Sequence, residues 1–145
     1  MIKHILPFIL VVFLLSCNSI QRGGELSDAD LNRMRALKIL DQGESVVKFY
    51  TEDRKQTAGN FFTNKRIASY WIDPRDKSKD EVFSAYYSDV KALDTVYYAG
   101  ATYSPYVLVT KNDGTKFKVC ANGKKQEIKA FFEDVIAQWK AHGRY

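Results

Sequence analysis

Apolar residues recur at helical spacing in two parts of this chain. Near its end, six apolar residues follow one another at alternating intervals of three positions and one, and so share one broad face of a helix. They are Ile128, Phe131, Phe132, Val135, Ile136 and Trp139. A face this aromatic predicts that the helix packs against a sheet. An earlier stripe, with Ser27 as N-cap and Asp30 completing a capping box, predicts a helix that reaches Leu40.

Between these helices, alternating apolar and polar residues predict about seven antiparallel strands. The predicted strands are 45–51, 59–63, 66–73, 81–87, 90–98, 106–111 and 115–121. Asn112-Asp113-Gly114 tolerates positive φ and therefore indicates a hairpin between the last two strands. The order helix, strands, helix predicts an α+β domain, a bent sheet or partly open barrel with the last helix covering one end.

The first residues have the layout of a secretory signal peptide. The apolar run from Ile5 to Leu15 is too short to span a bilayer, which takes about 20 residues. It ends in Leu14-Leu15-Ser16-Cys17, which resembles the lipobox of bacterial lipoproteins. The resemblance implies that residues 1–16 are removed and that Cys17 carries a diacylglycerol with chains such as palmitate. An ordinary signal peptide with a chance cysteine is the alternative.

The predicted organisation is therefore a signal peptide (1–16), a lipidated cysteine with a short tether (17–24) and one domain (25–145). Lipid on Cys17 would hold the protein at a membrane of the bacterial cell envelope. Asn18 stands where enteric lipoproteins retained in the inner membrane carry Asp. This difference favours the outer membrane.

Several segments together resemble bacterial pleckstrin-homology-like and GRAM-like domains. Thr63-Asn64-Lys65-Arg66 is similar to their Thr-Asn-x-Arg turn, the segment 86–93 to their Tyr-x-Asp-Ile segment, and 107–117 to their hairpin. The closing helix also stands where theirs does. The resemblance implies two near-orthogonal sheets capped by the C-terminal helix, and a function in binding. The predicted helix from Ser27 to Leu40 lies outside the common family core, so its role is left open.

Composition argues against several other functions. The formal net charge of +5 is mild and both signs are interspersed, which disfavours a nucleic-acid partner. His4 leaves with the signal peptide and His142 lies near the end of the chain, so a nucleophile lacks a base. No Cys or His pair has zinc-ligand spacing. We therefore expect no enzyme, metal or cofactor, with a hydrolase using dispersed carboxylates as a remote alternative. Cys120 is expected to be a small buried apolar residue.

Two sets of residues are candidates for binding. Basic residues of the first strands and their turns could hold anionic lipid head groups, as in pleckstrin-homology relatives; they are Lys48, Arg54, Lys65 and Arg66. Arg66 could equally be a structural hydrogen-bond donor. Tyrosines around a Gly/Ala loop could contact a protein, because tyrosine is a frequent interface anchor; they are Tyr98, Tyr103 and Tyr106.

The sequence thus predicts a membrane-anchored envelope lipoprotein that acts as a non-catalytic binding or assembly module for a protein partner. Binding of anionic head groups through the basic first strands is the alternative.

Overall fold

The computed structural model describes residues 19–143. The predicted signal peptide and Cys17 lie outside the described residues and stay predictions. The described chain forms eight strands and two α-helices. In order they are β1 Gln21–Arg22, α1 Asp28–Ala36, β2 Val46–Tyr50, β3 Ala58–Thr63, β4 Arg66–Trp71, β5 Glu81–Tyr86, β6 Val90–Val96, β7 Tyr106–Lys111, β8 Lys116–Cys120 and α2 Lys125–His142. No helix in this part of the chain is both long and apolar enough to cross a membrane.

The strands form two antiparallel sheets. The first has the order β1-β2-β3-β4-β5, and the second has the order β6-β7-β8. The predicted α+β class is confirmed, but the number of strands is eight instead of about seven. The additional strand is β1, in which Gln21 lies opposite Phe49 and Arg22 opposite Lys48. Two residues are too few to show an alternating pattern. The tether predicted up to residue 24 is therefore wrong from Gln21 onward.

The inner face of the first sheet packs against the second sheet and α2. We call these buried residues the inner cluster. It includes Tyr50, Phe62, Ile67, Val107, Val109, Val119, Phe131, Phe132 and Val135. The Phe62 and Phe131 rings meet edge to face, with their centroids 5.0 Å apart. Four of the six residues of the apolar face predicted for the C-terminal helix are thus buried, and Ile136 and Trp139 are half-buried.

The outer face of the first sheet is covered by α1 and the segment that follows it. The residues buried there form the outer cluster, which contains Leu26, Met34, Ile39, Leu40, Phe49, Phe61, Ala68 and Tyr70. The central strands β3 and β4 are therefore buried on both faces, except at Trp71. This layer gives the N-terminal helix a role that the sequence left open.

The start of α1 is as predicted, and its end is not. The Ser27 Oγ accepts the Asp30 N–H at 3.2 Å, and the Asp30 carboxylate accepts the Ser27 N–H at 3.0 Å. The helix ends at Ala36 instead of Leu40, because Lys38 adopts a φ of 61°, in the left-handed region. The chain stays packed on the sheet past this turn, because Leu40 belongs to the outer cluster.

Candidate binding groove

The inner face of the first sheet is open at one end, where a cavity of about 380 Å³ lies between the two sheets. We call it the inter-sheet groove. One wall comes from β3, β4 and β5, and the other comes from β8. The lining side chains include Asn60, Ser69, Trp71 and Phe83 on the first wall and Phe117, Lys118 and Cys120 on the second.

Strand register and one side-chain hydrogen bond fix the shape of this groove. Asn60 lies opposite Ser69, and Ser69 lies opposite Phe83, so the three side chains form a row across the first sheet. The Asn60 Oδ1 accepts the backbone N–H of Cys120 at 2.9 Å and so joins the two walls. The Phe83 ring stacks on the Phe117 ring, with 5.6 Å between centroids. The groove is therefore held by both sheets.

Two large aromatic side chains of the groove are exposed. Trp71 is 46% exposed and Phe83 is 40% exposed, although both belong to regular strands. Glu52 and Glu81 add carboxylates to the lining. Apolar surface next to a few polar groups is the usual composition of a ligand site. The hydrophobic pattern does not mark these aromatic residues as a site, because alternation does not distinguish a strand face covered by the core from one left open.

The predicted tyrosine surface is only partly assembled. A second cavity of about 300 Å³ shares Glu52, Lys118 and Cys120 with the groove and is also lined by Tyr103 and Tyr106. The Lys118 Nζ lies 4.5 Å from the centre of the Tyr106 ring, a cation–π contact. Tyr98 does not line this cavity. Two of the three tyrosines thus extend the groove.

Arg66, predicted as a head-group ligand, is buried. Its Nε donates to Glu44 Oε1 at 2.9 Å, and its Nη2 donates to Glu44 Oε2 at 2.8 Å. Asp41 lies 2.7 Å from the same Nη2, and the Tyr86 ring lies 4.4 Å from the guanidinium carbon. Burial alone would lower the pKa of Arg66, but the hydrogen bonds and charge of Glu44 raise it. Arg66 is therefore a structural hydrogen-bond donor, which was the alternative to a head-group ligand in the sequence-based prediction.

The other predicted basic residues do not share one surface. The Lys48 Nζ lies 2.5 Å from a carboxylate oxygen of Asp134 on α2. Arg54 and Lys65 are exposed, but Arg54 precedes β3 and Lys65 follows it. A strand of this length separates its ends by about 20 Å. The structure therefore does not bring the four cations of the predicted head-group site together.

The turn that carries the family resemblance is held by its own side chains. The Thr63 Oγ1 accepts the N–H groups of Lys65 and Arg66 at 2.9 and 3.0 Å. The Asn64 Oδ1 accepts the Ser45 N–H at 3.1 Å. The Thr-Asn-x-Arg pattern is thus explained by the geometry of the β3–β4 turn.

The groove holds no reactive thiol or metal cluster among the described residues. Burial, with a smaller contribution from Glu52, raises the pKa of Cys120 to about 12. The thiol is therefore protonated at neutral pH and a poor nucleophile. Within residues 19–143, no three His, Cys, Asp or Glu side chains come together as metal ligands. The arrangement is suited to non-covalent binding.

Comparisons with known proteins bear on the fold. No protein-family model matches the sequence, and no curated protein matches it either. Among solved structures, the chain is similar to a DUF1696 family protein with a pleckstrin-homology domain from Shewanella loihica PV-4. The two are 16% identical with a TM-score of 0.52, and the match covers 84% of this chain and 97% of the other. The likeness supports the predicted pleckstrin-homology-like fold, and at this identity it shows the fold alone.

Proposed function

We propose that this protein is a lipid-anchored, non-catalytic binding module of the bacterial envelope that recognises a protein partner in the inter-sheet groove. The observation that carries the proposal is the exposure of Trp71 and Phe83 beside the polar residues of one cavity. Aromatic side chains of this kind supply much of the binding energy at protein interfaces. The groove is the opening expected of a partly open barrel.

The strands beside the groove favour a peptide segment as the ligand. Within residues 19–143, β5 pairs with β4 alone and β8 pairs with β7 alone, so each is an edge strand of its sheet. An edge strand can bind an extended segment through backbone hydrogen bonds, while neighbouring pockets select its side chains. Trp71 and Phe83 line the cavity that would receive the side chains of such a segment.

The anchor is the second part of the proposal, and it rests on the lipobox-like residues Leu14 to Cys17. Binding of anionic head groups gains no support from the predicted basic residues, because Arg66 is buried and Arg54 and Lys65 lie at opposite ends of β3. A carboxylate-based hydrolase gains no support from the described residues either.

Site-specific photo-crosslinking in cells tests the partner site. A photoreactive phenylalanine analogue is placed at Trp71 or Phe83 in the full-length protein, and at Glu133 on the exposed side of α2 as control. We expect one defined protein adduct from the two groove positions and none from position 133. Absence of an adduct at both groove positions, or the same adduct at all three, contradicts the proposed site.

A palmitate analogue that can be tagged tests the anchor separately. We expect the full-length protein to incorporate it and a Cys17→Ser variant to lose the signal. Equal labelling of both proteins, or labelling of neither, would overturn the anchor without affecting the groove.

A further inference from the structure

The chain enters the domain at one particular end. β1 runs antiparallel to β2 with Gln21 opposite Phe49, so the residue before Gln21 lies beside Tyr50. Ile20 packs against the inner cluster there. The described chain therefore begins next to the C-terminal end of β2.

Three loops meet at this end, which we call the loop end: residues 51–57, 72–80 and 97–105. The Ile72 N–H donates to the Thr57 carbonyl at 2.7 Å and joins the first two loops. Glu52 of the first loop and Ser104 of the third loop line the same cavity, so these two loops lie side by side. The start of the domain and these loops thus occupy the same end of the molecule.

The loop end is aromatic at its tip and electrically balanced. Residues 97–105 contain no charged side chain, residues 51–57 contain two acids and two bases, and residues 72–80 contain three of each. Tyr98 is 81% exposed and Tyr103 is 72% exposed. Tyrosine is enriched at membrane–water interfaces, because its ring is apolar and its hydroxyl stays hydrated. An uncharged loop carrying two such residues suits an interface between water and lipid.

The distance to the predicted lipid is short. Four residue steps separate Cys17 from Gln21, and even an extended chain of that length spans at most about 14 Å. A domain of this size is about 35 Å across. A lipid on Cys17 would therefore keep the loop end near the membrane and keep the opposite end, with Lys65, away from it.

We propose that the loop end faces the bilayer and that Tyr98 and Tyr103 insert into its interfacial layer, independently of lipid charge. This inference rests on the lipid anchor of the proposed function. It assigns to the membrane Tyr98, which lines neither cavity, and Tyr103, which lines the second cavity but is still largely exposed. Because the loops are electrically balanced, docking should persist on neutral lipid and at high salt, unlike binding through a basic patch.

Fluorescence quenching by labelled lipid tests the orientation. The full-length lipidated protein, with Cys120→Ala, receives one reporter cysteine by Tyr98→Cys or Tyr103→Cys. Matched controls at the opposite end are Lys65→Cys and Lys116→Cys. Each protein is labelled with a small fluorophore and reconstituted into phosphatidylcholine vesicles with or without a lipid that carries a spin-label quencher near its head group.

We expect quenching at positions 98 and 103 to be at least about twofold stronger than at positions 65 and 116. The same difference should appear when phosphatidylglycerol is added and when salt is raised from about 0.1 to about 1 M.

Two results would overturn the inference, and they are distinguishable. If the proteins float with the vesicles but all four positions are quenched alike, the anchor stands and the docking is wrong. If the proteins do not float with vesicles at all, the anchor is wrong and the docking is wrong with it. Quenching at positions 98 and 103 that disappears at high salt would replace interfacial insertion with electrostatic binding.

Discussion

At the scale of single residues, Arg66 is held by contacts on several sides. Its guanidinium is 3% exposed and donates twice to Glu44, whose side chain is fully buried. The Thr63 hydroxyl also donates to Glu44, at 2.6 Å. A buried carboxylate that loses its cation is left charged in a medium that solvates it poorly. The pair therefore ties the segment after α1 to the β3–β4 turn.

We expect Arg66→Ala to lower the free energy of unfolding by about 3–5 kcal/mol, because Glu44 would stay buried without its partner. Lys65→Ala, one residue earlier and exposed, should change it by no more than about 0.5 kcal/mol. Urea unfolding of the two variants and the parent protein measures both effects. A loss at Arg66 no larger than that at Lys65 would show that the pair does not stabilise the fold.

Residue-level prediction from sequence succeeded where the signal is local. The Ser27 cap and Asp30 lie three positions apart, so their pattern is visible in the chain. Arg66 and Glu44 are 22 positions apart, and no local pattern connects them. The prediction that four basic residues form one head-group site was wrong for the same reason. Nearness in the sequence does not show which ends of the strands lie together.

At the scale of elements, α1 acts as a cover for the outer face of the first sheet. Met34 is fully buried in the outer cluster with Phe49 and Phe61. Much of the stability of so short a helix comes from packing, since isolated helices of this length are marginal in water.

Met34→Ala should lower the free energy of unfolding by about 2–5 kcal/mol, because it leaves a cavity between α1 and the sheet. Asn32→Ala on the exposed side of the same helix serves as the control and should be close to neutral. Thermal and urea unfolding followed by circular dichroism compare the two. Similar small losses for both would mean that α1 adds little to the stability of the domain.

Elements with strong periodicity were predictable, and irregular ones were not. α2 and the hairpin at Asn112-Asp113-Gly114 follow their patterns closely. In β2 a bulge between Val46 and Lys48 shifts the alternation. Val47 therefore packs toward the inner cluster while Val46 packs toward the outer one. An inserted residue of this kind changes which face each side chain takes, and it leaves no mark in the hydrophobic pattern.

At the scale of the whole molecule, β3 and β4 connect the two cores. Phe62 and Ile67 belong to the inner cluster, and Phe61 and Ala68 belong to the outer cluster. Opposite faces of the same two strands thus serve both layers. Neither layer can separate without exposing apolar residues of these strands, so we expect the domain to unfold as one unit.

Native-state hydrogen exchange should show this directly. We expect the amides of β3 and β4 to exchange only through global unfolding, with the same free energy that urea unfolding gives. The amides of β1, a two-residue strand at the sheet edge, should exchange far faster. Exchange of β4 amides at a free energy clearly below the global value would instead show that the two layers open separately.

The exposed edge of β5 has a consequence for how copies of the protein behave when crowded. Val82 and Phe83 are exposed on a strand that, in the part of the chain that the structure describes, pairs on one side only. Such edges favour strand-to-strand association between molecules. Confinement to a membrane surface would raise the encounter rate between copies, and Glu81 is the charge on that strand that opposes their pairing. The same edge that could bind a partner segment is therefore the part of the described domain through which copies of the protein would aggregate.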